Sequence, residues 1–334
     1  MRRYLIHRCL QTIIVLLGVT VVVFLILHIT GDPASLLLSE DAMEEDLEEL
    51  RQLMGFNDPL LVQFGRFLPG VFRFDFGESF RQGQPAMGLV FDRMPATIEL
   101  SLCAFLIAFS IALPAGIISA CRRDTVLDHS SMFIALLGQS MPTFWLGLLF
   151  IMFVSLRLDL LPTSARLSSE MTKEVTTSFF LLEGIFKLNG KLFWDALQHI
   201  LLPALTAGLY ATARLTRLIR SSMLDVLGED YVQTAWSKGL AERYVVGRHA
   251  FKNASIPVVT LAGIELGHLL SGTVVIEVVF SWPGVGFLSV EALQNDDFPV
   301  VQAAVFFLAF IFVFINLVVD LLYGYLDPRI RLAE

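Results

Sequence analysis

The chain has 334 residues, 55% of them hydrophobic and 17% charged, with a mean hydropathy of +0.68. A soluble domain of this length does not need so much apolar side chain to fill its core, so a water-soluble globular protein is excluded and an integral membrane protein is indicated. The formal charge of -8 averages over unlike segments, because acidic and basic residues collect in different stretches between the apolar runs.

A hydrocarbon slab of about 30 Å takes roughly 20 apolar residues as a helix. Uninterrupted runs such as "IIVLLGVTVVVFLILHI" lack the short alternation of a membrane β-barrel, so the spans are helical. Six are predicted: Cys9–Ile29, Ile98–Ala120, Ser131–Ser155, Ile200–Ile219, Ile256–Phe280 and Val301–Leu326. The first follows a basic start, "MRRYLIHR". Its apolar run is too long for a signal peptide and "HITGDPASLLL" has no small-x-small cleavage site, which predicts a retained anchor helix.

Between the first and second spans, Thr30–Thr97 is too long and too patterned to be a slack connector. After Ser39 and Asp41 as caps, Met43, Leu47, Leu50 and Met54 recur at helical spacing opposite an acidic face. A second amphipathic helix is predicted from Pro59, with Leu61, Phe64, Leu68 and Val71 on its buried side. The pair is either a cap on the membrane surface or a contact surface for something delivered from outside.

The fourth span takes Arg214 and Arg217 into its last turns, and with Arg220 they read as anchors that snorkel to the membrane surface. A polar interval, Arg214–Ser255, follows. In "EDYVQTAWSKGL", Glu229 and Asp230 suit a helix amino terminus, and Lys238 then Gly239 suit its carboxyl end. Leu240–Asn253 restarts the helix and Pro257 opens the next span, giving a helix–turn–helix protrusion. Tyr231, Thr234, Ala235 and Lys238 share the side predicted to be exposed, a strip suited to another protein's groove.

Acidic residues at membrane depth are costly and so usually have a purpose. Four qualify: Glu99, Glu265, Glu277 and Asp320. Glu99 and Asp320 lie near span ends and suit capping or snorkelling, with Asn316 one turn before Asp320. Glu265 falls near the middle of the fifth span with His268 on the same face and Ser271 beyond, a stripe that either lines a path or locks helices together. After this span, "SWPGVGF" predicts a turn or re-entrant hairpin at Pro283, Gly284 and Gly286, with Trp282 anchored at headgroup level.

With the amino terminus inside, Arg2–Arg8, Arg122–Arg123, Arg214–Lys252 and Arg329–Arg331 fall inside and hold more than half of the 24 basic residues. The first outer loop carries the acidic cluster Glu40–Glu49. Both termini are therefore expected in the cytoplasm of a multi-pass protein. Cys9, Cys103 and Cys121 have no paired spacing and predict neither disulfide nor zinc site.

The stretch Gln233-Thr234-Ala235-Trp236-Ser237-Lys238-Gly239 resembles the coupling loop of ATP-binding-cassette importer permeases, departing from its Glu-Ala-Ala-x-x-x-Gly core at the first two positions. Further blocks are similar to the dipeptide and oligopeptide permeases, specifically the first of their two membrane subunits. These are "TGDPA", "RMPATIELSL", "GQSMPTFWLGLLF", "RSSMLDVLGEDYVQTAWSKGL", "FSWPGVGF" and "DLLYGYLDPRIR". The resemblance implies an all-α integral membrane protein with the type I ABC importer permease fold, six transmembrane helices and a structured extracytoplasmic loop. In that arrangement residues 1–29 form the tail and first span, 30–97 the outer loop, 98–326 the permease core with a coupling loop at 221–255, and 327–334 a cytoplasmic tail.

It also implies partners: a homologous second permease subunit, two cytoplasmic ABC ATPase subunits, an extracytoplasmic solute-binding protein and the bilayer of a bacterial inner membrane. No nucleic acid is implied. The coupling residues it assigns are Glu229, Asp230, Tyr231, Gln233, Thr234, Ala235, Lys238, Gly239 and Leu240; Glu265, His268 and Ser271 are the path candidates. No catalytic or metal residue and no cofactor is expected on this chain, with ATP and Mg on the partner subunits. The nearest phosphate-loop stretch, "GIFKLNGKL", has the wrong glycine spacing and Leu192 where Ser or Thr must ligate magnesium.

The substrate left open is a dipeptide or longer peptide, glutathione or a nickel chelate. The rival classes are a channel and a membrane-embedded protease, the latter with only "GQSMP" around Ser140 to support it.

Overall fold

The computed structural model describes residues 2–30, 43–55, 57–173 and 175–326, with side-chain environments for 7–25, 43–53, 55, 57–173 and 175–321. The predicted caps Ser39 and Asp41, the "GDPA" of the first block and the 327–334 tail lie outside the described residues. Among those described, helices dominate, and the single β-type pairing is an antiparallel bridge between Glu78 and Pro85.

The long apolar segments form the bundle. Helix α1 is Arg2–Thr30, α4 Ala86–Cys121, α8 Gly190–Leu227, α11 Phe251–Gly272 and α14 Phe298–Leu326. Among the described residues five helical stretches are long and apolar enough to cross a membrane, and a sixth follows if one bent pair counts as a span. That pair is α5 (Val126–Ser140) and α6 (Thr143–Phe150, continued by the π-helical turn Ile151–Arg157), bent by 103°. The span predicted over Ser131–Ser155 falls across this pair and is broken at Met141–Pro142. Met141 and Pro142 are both extended, with ψ of 134° and 133°; at Met141 the following proline disfavours the helical region.

Four more boundaries differ from the sequence reading. Helix α4 begins at Ala86 rather than Ile98, and α8 at Gly190 rather than Ile200, so both extend well past their apolar cores. Pro257 does not open a span: α11 runs through it, as membrane-embedded helices can when neighbours re-satisfy the freed carbonyl. The predicted fifth span is instead divided after Gly272, where Thr273 separates α11 from α12 (Val274–Val279).

The outer-loop helices form as expected, α2 over Glu44–Met54 and α3 over Leu60–Phe72, with Pro59 as the cap residue of α3. Val71 is buried, but Leu61 is 86% exposed, a correction to the predicted buried side. The face that packs is instead centred on Phe64 and Phe67, whose rings lie 5.3 and 5.7 Å from Phe24 of α1. One core joins α1, α3 and the start of α4 to α14 and α13 (Val285–Gln294) through Val23, Met87, Val90, Leu288 and Val301.

The most extensive helix pair is α4 with α8. Small residues make it possible: Gly208 lies against the Ala104 carbonyl, and Ala108, Ala112 and Ala211 are buried beside it. At the end of the bundle that carries Gly239, Leu215, Ile219 and Met223 of α8 pack on Ala250, Ala254 and Val258. There Arg220 meets Asp128 of α5 through two 2.6 Å hydrogen bonds, a bidentate pair rather than a snorkelling anchor. Arg8 of α1 similarly pairs with Asp320 of α14 at 3.2 Å, so the partner of Asp320 is a cation and not Asn316.

The opposite end, marked by Trp282, is closed by buried polar knots. Trp282 is 1% exposed and its indole Nε1 donates to the Ala96 carbonyl at 2.9 Å, so it is a core residue and not a headgroup anchor. Glu277 accepts from Thr97 Oγ1 (2.8 Å), Thr273 Oγ1 (3.0 Å) and the Phe287 amide (2.9 Å), tying the "SWPGVGF" turn to α4. A Cβ at Gly284 would stand 2.5 Å from both Glu277 Oε2 and Thr97 Oγ1, which is why the turn needs glycine there. Glu99 is buried and paired with Arg166 at 2.7 Å, and its other oxygen accepts from the Leu181 amide at 2.7 Å.

The segment carrying Arg166 is itself fastened by Glu183 in α7 (Phe180–Phe186), which accepts from the Thr176 and Thr177 amides and hydroxyls and pairs with Lys187. Burial pushes the Glu183 carboxyl up, but Lys187 and these hydrogen bonds outweigh it and hold the group well below the usual carboxylate range. A lowered folded-state value means the fastening is complete above the ordinary carboxylate pKa and is lost as pH falls through the folded value. Protection of the Thr176 and Thr177 amides, read as exchange relative to an unstructured peptide at the same pH, is expected to be as strong at pH 5 as at pH 7. Glu183→Gln lowers it at both; wild-type protection no greater than the variant's would contradict the fastening.

Candidate functional site

Three places among the described residues combine exposure or a cavity with polar chemistry, one of them a cavity of about 420 Å³ beside the Arg8–Asp320 pair, lined also by Gln11, Thr12 and Asn316. Of the other two, the first is the protrusion after α8. Gly228 ends α8, Glu229 is extended (φ -72°, ψ 143°), and its carbonyl accepts from the Val232 and Gln233 amides at 3.0 and 3.2 Å to start α9, Asp230–Ser237. Asp230 stands in the first turn and Glu229 at the cap before it, where the helix dipole favours negative charge.

The end of α9 is a Schellman-type turn: the Gly239 amide donates to Trp236 O (2.9 Å) and the Leu240 amide to Ala235 O (3.5 Å). Gly239 has φ +75°, the left-handed region that side chains other than glycine rarely enter. The chain then turns back through α10 (Glu242–Tyr244) and the π-helical turn Val245–Ala250 into α11. The predicted helix–turn–helix is therefore present, with its end residues where the capping order put them.

One predicted surface residue is placed differently. Ala235 is 6% exposed and packs with Val232 against Val245, forming the underside that holds α9 to the bundle. Tyr231, Thr234 and Lys238 are exposed, and so are Gln233 and Leu240. Trp236 and Tyr244, which the sequence reading did not single out, add exposed aromatic surface around the turn. Tyr231 is steadied from α11, where Asn253 Nδ2 donates to its hydroxyl at 2.6 Å.

The second place is a cavity of about 370 Å³ between α8 and α11, reached also by Thr143 of α6. Tyr210 and Arg214 line it from α8, and Glu265 and His268 from α11, each pair at a spacing that shares one helix face. Arg214 Nη1 stands 2.8 Å from Glu265 Oε1, and the guanidinium carbon is 5.9 Å from the Tyr210 ring centre. Arg214 is thus a cavity residue rather than a surface anchor. The signal for it was a charge inside a predicted span. Ser271 is not among the lining residues; its hydroxyl donates back to Gly267 O at 3.0 Å. A larger cavity of about 460 Å³ is lined almost wholly by apolar side chains such as Phe105, Leu266 and Phe314 and offers no charge.

Neither rival motif acquires a site. Ser140 donates to Leu136 O at 2.8 Å rather than to a base, and "GIFKLNGKL" is the junction at which Asn189 accepts from the Leu192 amide to cap α8.

Residues 112–332 match the family described as binding-protein-dependent transport system inner membrane component, and residues 1–101 match that system's membrane component N-terminal family. The chain is 40% identical over 332 residues to the dipeptide transport system permease protein DppB of Alkalihalophilus pseudofirmus, covering 99% of this chain and 100% of the relative. It is 43% identical to the probable D,D-dipeptide transport system permease protein DdpB of Escherichia coli, over 97% of this chain and 96% of that protein. It is 38% identical to the dipeptide transport system permease protein DppB of Escherichia coli, over 99% of both.

Proposed function

Because the chain belongs to the family of inner-membrane components of binding-protein-dependent transport systems, we propose that it is one of two permease subunits of an ATP-driven peptide importer. The nearly end-to-end similarity to dipeptide permeases carries this reading. The bent pair α5–α6 counts as one span, giving six, with both termini and Gly239 in the cytoplasm and Trp282 outside. The charge asymmetry supports that orientation.

In this reading α9 and its Schellman-type turn form the foot that docks on a cytoplasmic ATPase, and hydrolysis of ATP occurs there. Glu229, Asp230, Tyr231, Gln233, Thr234, Lys238, Gly239 and Leu240 supply or shape the docking surface, while Ala235 seats α9 on the bundle. A helix that fits a groove and is braced from beneath by Val232, Ala235 and Val245 transmits a push instead of yielding to it. Since α8 enters the foot and α11 leaves it, movement of the foot reaches both walls of the cavity. That cavity, with Glu265 and His268, is this subunit's contribution to the path. Ser271 is one turn away on the same helix. The outer-loop helices α2 and α3 face a solute-binding protein.

The test is uptake of radiolabelled L-alanyl-L-alanine by proteoliposomes holding the whole assembly and its binding protein. ATP-dependent accumulation is expected. Accumulation of a nickel chelate or glutathione in its place would contradict the peptide reading.

A further inference from the structure

The ion pair in the cavity differs from those that hold the fold. Asp128 and Arg220 share two directed hydrogen bonds, and both oxygens of Glu99 are bonded. Arg214 and Glu265 approach at 2.8 Å, yet the contact is not directed as a hydrogen bond: Glu265 Oε1 is buried and has no hydrogen-bond partner among the described residues. Desolvated acceptors are normally satisfied, because leaving one unpaired forfeits its solvation with nothing in return. A guanidinium carries five N–H donors in a fork, and this contact engages one of its nitrogens. The pair keeps its charges neutralised while leaving much of its bonding capacity unused, beside a cavity of a size that holds a small molecule.

The charge balance narrows what that molecule is. The lining carries the guanidinium of Arg214 and the carboxyl group of Glu265, with His268 on the same wall and Tyr210 and Thr143 as neutral polar groups. A guest with a single charge would pair with one of the two and strand the other at membrane depth, which is expensive. A guest bearing both charges separates the pair and satisfies each half. Bidentate geometry also makes the guanidinium a good carboxylate receptor.

We propose that Arg214 and Glu265 form a two-ended reader of zwitterions, in which the guanidinium takes a short peptide's terminal carboxylate and Glu265 takes its terminal ammonium. This rests on the peptide-import reading above and deepens it. With no peptide present the two side chains neutralise each other, so the empty path offers no lone charge to an inorganic ion. When the peptide leaves, the pair re-forms.

The experiment uses the full permease–ATPase assembly without binding protein, photolabelled with alanyl-photoleucine, a diazirine dipeptide. Labelling is expected within 207–214 and 265–272 and is competed by L-alanyl-L-alanine. N-acetyl-alanyl-alanine and alanyl-alanine amide compete at least tenfold less well. Glu265→Gln and Arg214→Gln each reduce the labelling tenfold or more, with assembly checked by gel filtration. If a variant does not assemble, the wild-type competition decides alone. Equal competition by the blocked peptides, labelling elsewhere, or full labelling of both variants overturns the reader. An assembly that imports no dipeptide at all in the uptake assay contradicts the peptide reading itself, whereas import with labelling insensitive to blocked termini contradicts only the reader.

Discussion

Arg166→Ala is expected to destabilise the subunit by about 3–5 kcal/mol, the usual cost of removing one partner from a buried ion pair. The guanidinium and the Glu99 carboxylate are 9% and 6% exposed, so water does not take over when the partner is lost. Arg166 also donates to the Ser178 carbonyl at 2.8 Å and lies 4.0 Å above the Phe180 ring, and both contacts disappear with it. Glu99 keeps its bond from the Leu181 amide, which keeps the loss from growing further. Thermal unfolding of the purified assembly reads the effect. The double variant Glu99→Met with Arg166→Met, which leaves no charge stranded, should unfold closer to wild type than either single change. A loss below about 1 kcal/mol in Arg166→Ala would mean that the pair behaves as a surface one.

Trp236→Ala is expected to weaken association with the ATPase by about 2 kcal/mol, roughly thirtyfold, because partly exposed aromatic anchors carry most of the energy of such contacts. The thermal stability of the permease should barely move, since Trp236 is 37% exposed and outside the cluster that seats α9. Ala235→Asp should do the reverse. It drives a charge between Val232 and Val245, lowering stability first and association only as a consequence. Co-purification of the ATPase with each variant, alongside unfolding curves, separates the two effects. Equal loss of stability in both variants would contradict the division between an outward docking face and an inward seat.

Local pattern made most of α9 legible in the sequence. The order of acids, Lys238 and Gly239 states where a helix begins and ends, and the structure has it at Asp230–Ser237 with Gly239 left-handed. The same local logic erred at Ala235, because Thr234 and Ala235 are adjacent and period alone does not say which of them turns inward. Hydropathy located the spans but not the helix ends. Asp92 and Arg93 lie in the early turns of α4, and Lys191 and Asp195 in those of α8, so each helix continues beyond its greasy part.

The ionic partners were not legible. Glu99 and Arg166 are 67 residues apart, Asp128 and Arg220 92, and nothing local joins them. Arg214 was misread for the same reason: a cation near a span end has a bland use, and only the packing of α8 on α11 brings it to Glu265. Trp282 followed suit, since an interfacial anchor and a buried indole with a carbonyl partner look alike in one dimension.

The account depends on a foot at Gly239 that a cytoplasmic engine grips. The direct measurement replaces Lys238 with a photo-crosslinking amino acid in otherwise native membranes and identifies its adduct by mass spectrometry. The prediction is an ATPase adduct whose yield changes when ATP is supplied. An adduct with a protein on the outer face, in place of the ATPase, would contradict it.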